Sequence, residues 1–180
     1  IIVVRHPIDF VFTWFRSGRG TSLGTNPYYI KPAFTVKNFN NIPYLHLDNP
    51  EEYSKANPLE KCFLVIEKQL TGYINSNLLY SKNSCVVPFE HYINETEEYI
   101  KKFESLLDTT RTDFTKTEMA KANVPRNKDL ITFSKKANMI FDNMNKIYVD
   151  RLIKLSELYE SKISDFYKIN LITKYPDGKF

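Results

Sequence analysis

The feature that most constrains this chain is its opening run, Ile1-Ile2-Val3-Val4, followed at once by Arg5-His6-Pro7. Four aliphatic residues in a row have the composition of a strand buried on both faces of a parallel sheet. Pro7 cannot donate to a strand ladder and forces a turn. The apolar stretch from Ile8 to Phe15 can then wind as a helix, so the chain begins strand, turn, helix. In open α/β sheets ligands gather at the carboxyl ends of strands, which is where Arg5 stands. Thr13, eight residues on, falls within the first two turns of that helix. The sharp turn can fold guanidinium and hydroxyl around one phosphate. The plainer alternative is a corner whose arginine caps carbonyl groups.

With 180 residues the chain suits one domain and can bury a real core. Its 25 basic and 21 acidic residues leave a formal charge of +4, which suits an anionic ligand without demanding a polyanion, so no nucleic-acid partner is expected. Cys62 and Cys85 give neither a disulfide framework nor a Cys-x-x-Cys spacing, and His6, His46 and His91 are scattered, so no metal site is expected. No apolar run reaches membrane length. The chain opens without methionine inside a buried-type strand, which reads as the carboxyl part of a longer protein with any leader or anchor upstream.

Farther along, three of the five glycines fall within Ser17–Gly24, ending the first helix in a turn. Its arginines could hold an anion or could simply face solvent. Residues 25–58 are rich in Asn, Pro and Tyr, the makeup of an irregular binding loop or of aromatics pinning a loop to the core. Phe63, Ile66, Leu70, Tyr73, Ile74 and Leu78 predict an amphipathic helix over 59–79. Residues 84–89 predict a second strand. A helix capped by Asn94 or Thr96 follows, with Ile100, Phe103, Leu106 and Leu107 as its buried stripe. Val124–Asp129 is a basic turn, and residues 133–166 predict one long helix.

The pattern Arg5-x-Pro7-x-Asp9-x-x-x-Thr13 after an aliphatic strand resembles the 3′-phosphate-binding segment of sulfotransferases that use 3′-phosphoadenosine 5′-phosphosulfate (PAPS). In that family the arginine and a serine eight residues later hold the 3′-phosphate; here the second position is Thr13. The family also carries a strand ending in Tyr-Glu-Asp-Leu, to which Phe89-Glu90-His91-Tyr92 is similar, with Phe89 where the family's tyrosine meets the adenine. A late Arg-Lys-Gly loop has its nearest counterpart in Arg126-Asn127-Lys128, without the glycine.

The resemblance implies a partial three-layer, P-loop-hydrolase-like α/β fold, with a short parallel sheet flanked by helices and a helix-rich carboxyl half, spanning 1–180 as one domain. It implies PAPS as sulfuryl donor, no metal, and cofactor contacts from Arg5, Thr13, Phe89, Arg126 and Lys128. It assigns the phosphosulfate loop and the catalytic base to an upstream segment, so residues 1–180 alone are expected to be inactive. The acceptor is expected to be a small molecule or carbohydrate bearing a hydroxyl or amine, the protein a possible homodimer. A cytoplasmic setting is favoured, or the Golgi lumen if an anchor precedes. The rival readings are a P-loop nucleotide kinase and a non-catalytic binding module.

Overall fold

A computed structural model describes residues 1–18, 35–36, 42–76, 79, 81, 84–124, 131–167 and 169. These residues are mostly helical, with a two-stranded parallel sheet, an arrangement compatible with the α/β class. Strand β1 (Ile2–Val4) pairs with β4 (Val86–Pro88) in the register Ile2–Val86, Val3–Val87, Val4–Pro88. Parallel neighbours need a long crossover, and here it contains most of the helical core. A separate antiparallel pair, β2 (Thr35–Val36) with β3 (Ile42–Pro43), lies within that crossover.

Helix α1 (Pro7–Arg16) follows β1 directly, with Pro7 at its first position, where a missing N–H costs nothing. Gly18, at φ 74°, turns the chain beyond its end. Ile8 and Val11 of α1 are fully buried, each contributing about 1.5–3 kcal/mol of burial. They pack on α3 (Pro58–Asn75), α7 (Ile131–Asn143) and α8 (Lys146–Lys162). Cys62, Phe63, Leu64, Ile66 and Leu70 of α3 supply the centre of the core.

Several boundaries depart from the periodicity. The irregular stretch before α3 contains a 3-10 turn (Tyr44–His46) and a short helix α2 (Pro50–Lys55). Helix α3 keeps Phe63, Ile66, Leu70 and Ile74 inside but leaves Tyr73 at 39% exposed, and Leu78 lies outside the described residues. The second strand stops at Pro88, so Phe89 opens the one-turn helix α4 (Phe89–Tyr92) instead of ending a strand.

Helix α5 (Thr96–Leu107) has Glu95 at its N-cap, with no side-chain cap bond, while Asn94 and Thr96 turn back to the carbonyls of Glu90 and Tyr92. It buries Tyr99 and Ile100, but Leu106 and Leu107 are exposed, because the helix leaves the body at its carboxyl end. The polar segment after it holds a further helix, α6 (Asp113–Lys121), which has no buried residue. The long helix expected over 133–166 is two helices, α7 and α8, broken where Asn145 caps the second through the Ile147 amide.

Ion pairs tie the helices together. Arg151 of α8 reaches both Glu67 of α3 and Glu52 of α2. No helix among the described residues is long and apolar enough to cross a membrane.

Candidate functional site

Arg5 is the last side chain before the turn into α1, so the strand aims it across the helix's opening turns. Its Nη1 donates to Thr13 Oγ1 at 3.1 Å, and its Nε lies 3.4 Å from Asp9 Oδ2. Its guanidinium carbon sits 3.9 Å from the centre of the Phe89 ring, a cation–π contact that crosses from β1 to α4. Arg5, Thr13 and Phe89, three of the five residues expected to meet a nucleotide, are therefore in mutual reach around one guanidinium. Arg126 and Lys128 lie outside the described residues.

The charges at this corner converge. Asp9 is 4% exposed and is shared by two cations, Arg5 and the Lys136 ammonium of α7. Asp9 thus holds the Arg5 guanidinium and the Lys136 ammonium on one carboxylate. Arg5 keeps 24% of its side-chain surface exposed, and its Nη2 has no hydrogen-bond partner among the described residues. Because Thr13 accepts from Arg5, the proton of its own hydroxyl can be donated elsewhere. The corner can thus offer two Nη2 protons and a hydroxyl proton to an oxyanion. One face of Phe89 is covered by Arg5, so a base could stack only on the other.

Behind Arg5 lies a buried polar network. His6 is fully buried; its Nδ1 accepts from the Ile8 amide at 3.3 Å, capping α1. The ring proton therefore sits on Nε2, 3.2 Å from Glu160 Oε1. Glu90, 1% exposed, accepts from the Tyr159 hydroxyl at 2.6 Å and from the His6 amide at 3.4 Å. Burial first, and then the Glu90 charge, pushes the Tyr159 phenol far up, so it remains a proton donor to that carboxylate. Phe133, Tyr159 and Tyr167 present their rings edge-on to His6. This network fixes both ends of the site, since His6 follows Arg5 and Glu90 follows Phe89.

Sequence reasoning passed over Lys136, Tyr159 and Glu160 as site-forming residues. Each sits on a helix far away in sequence, and only the packing of α7 and α8 against α1 brings it near. Among the described residues no group of three or more His, Cys, Asp or Glu side chains gathers in a way that could hold a metal ion. Comparisons of the chain with protein-family models, with curated proteins and with solved structures found no match.

Proposed function

We propose that the chain carries the 3′-phosphate-binding part of a PAPS-dependent sulfotransferase with a P-loop-like α/β fold, acting on a hydroxyl or amine acceptor. The observation that carries the reading is the 3.1 Å hydrogen bond between Arg5 and Thr13 beside Phe89. A guanidinium fork and a hydroxyl, placed at a strand's carboxyl end, suit a phosphate monoester. PAPS, when bound, would supply the activated sulfuryl group.

In this reading Arg5 and Thr13 hold the 3′-phosphate, Lys136 and Asp9 set the charge and orientation of Arg5, and Phe89 flanks the base. Arg126 and Lys128 are proposed to reach the same phosphate. No catalytic base is assigned within residues 1–180, and the 5′-phosphosulfate cradle is assigned to an upstream strand and loop, by resemblance to the family. Residues 1–180 are accordingly expected to bind the nucleotide product and to show no turnover alone.

Calorimetry with adenosine 3′,5′-bisphosphate and AMP tests the assignment. Tighter binding of the bisphosphate, lost on Arg5→Ala, is the expected result. Loss of a charge-assisted hydrogen bond is worth about 1.5–3 kcal/mol, or roughly ten- to a hundredfold in affinity. Thr13→Val, which keeps the shape and removes the hydroxyl, is expected to cost less, about 0.5–1.5 kcal/mol. A preference for AMP would instead favour a nucleotide kinase, and binding of neither would favour a non-catalytic module.

A further inference from the structure

The turn from β1 into α1 is tied, through one carboxylate oxygen, to the segment that follows α8. His6 sets this turn, since its Nδ1 accepts from the Ile8 amide and its own amide donates to Glu90. Asp9 and Thr13, the two α1 partners of Arg5, are carried by the helix that His6 caps. The angle at which α1 leaves β1 therefore decides whether both meet the guanidinium. The other imidazole nitrogen, Nε2, has a single hydrogen-bond partner among the described residues, Glu160 Oε1 of α8, at 3.2 Å. The same oxygen accepts from the Ile169 amide at 2.6 Å.

Beyond α8, residues 164–167 and 169 pack back onto the body, with Ser164, Tyr167 and Ile169 buried. Tyr167 stacks on Phe133 of α7 at 3.8 Å and meets His6 edge-on, and Phe166 reaches His91 of α4. The path from this segment to Arg5 thus runs from Ile169 through Glu160 and His6 into the first turn of α1. Removing the Glu160 oxygen would leave the Nε2 proton buried among the rings of Phe133, Tyr159 and Tyr167, at the full desolvation cost of an unpaired donor. The imidazole can relieve that cost by changing tautomer or by swinging Nε2 outward. Either response takes Nδ1 away from the Ile8 amide and frees the start of α1.

We propose that Glu160 is a positioning residue for the Arg5 site, and that through it the segment after α8 acts as a strap holding Arg5 against Asp9 and Thr13. The effect on nucleotide affinity rests on the phosphate reading of that corner; the effect on Arg5 itself does not. Two readouts on the 180-residue chain separate them: the Arg5 Nε–H signal of the free protein in heteronuclear NMR, and calorimetry with adenosine 3′,5′-bisphosphate and AMP. Glu160→Leu is expected to move the Arg5 signal to that of a freely rotating arginine and to cut the preference for the bisphosphate about tenfold. Glu160→Gln keeps an oxygen for the imidazole and for the Ile169 amide, and is expected to restore the parent's value in both readouts. Glu160→Asp keeps the charge but is one methylene shorter, so it is expected to follow Glu160→Leu, and it is read instead if the leucine variant does not fold. The proposal is overturned if the folded variant leaves the Arg5 signal at the parent's position, even with lowered stability, or if Glu160→Gln behaves like Glu160→Leu. A parent that prefers AMP or binds neither nucleotide overturns the phosphate reading alone, and the Arg5 signal then decides the role of Glu160.

Discussion

Glu90 has both carboxylate oxygens committed inside the protein, one to the Tyr159 hydroxyl and one to the His6 amide. A buried acceptor that loses its donor bears its full desolvation cost. Tyr159→Phe keeps the ring packing and removes that donor, so it is expected to destabilise by about 1–3 kcal/mol, read as a lower urea midpoint with an unchanged slope. An unchanged midpoint would show that the network contributes nothing to stability. His46 makes a different demand. It is 1% exposed and stacked on Tyr53, and neither ring nitrogen has a hydrogen-bond partner; the Leu64 backbone lies beside the ring, outside bonding geometry. Burial, and secondly the Lys68 charge, lowers its pKa below the ordinary 6.5. The unfolded chain therefore takes up the proton first as pH falls. The stability this histidine contributes is present above pH 6.5 and is lost as pH drops through its lower folded value. His46→Phe should flatten the melting-temperature profile as pH falls below 6.5; a profile parallel to the parent's would contradict this.

At the scale of elements, Glu60 joins two helix starts. Its Oε2 accepts from the Asn57 amide at 2.8 Å, closing a capping box on α3, and its Oε1 accepts from the Asn145 amide at 2.9 Å, at the start of α8. Glu60→Ala removes both at once, so a cost of about 2–3 kcal/mol is expected, above the usual ~1 kcal/mol for one lost cap. Asn57→Ala, which removes the α3 cap and a long 3.4 Å bond to the Asn143 carbonyl but leaves the Asn145 amide bonded to Glu60, is expected to cost less. Chemical denaturation of both variants checks the order, and equal losses would contradict the shared role.

The α3 half of this arrangement was open to reading, since Asn57-Pro58-Leu59-Glu60 is a helix-start signal in plain sequence. The α8 half was not, because nothing local links Glu60 to Asn145. The same divide runs through the candidate site. Arg5 and Thr13 share one turn and could be paired from spacing alone, and the second aliphatic run located β4 beside Phe89. Lys136 enters only through tertiary packing. Periodicity failed where a face has no neighbour, as at Leu106 and Leu107, and where a cap interrupts an apolar stripe, as at Asn145.

For the whole molecule, the sheet is where helices and strands are least balanced. Two strands alone are marginal in water, and here the short helix α4 packs on β4. β1 uses one edge for β4, and its other edge has no strand partner among the described residues. Ile1 and Val3 are 56% and 59% exposed there, although Val4 beside them is 2% exposed. An open edge with branched apolar side chains is a template for pairing with another chain. The 180-residue chain is therefore expected to self-associate as its concentration rises, with β1 edges meeting. Val3→Lys places a charge on that edge while removing no core contact, since Val3 faces solvent. Sedimentation velocity should show the mean mass of the parent rising with concentration and that of Val3→Lys staying at the monomer value, with matching circular dichroism for both. If Val3→Lys associates as strongly as the parent, the contact lies elsewhere, and the exposed Leu106, Leu107 and Phe114 become the surface to change next.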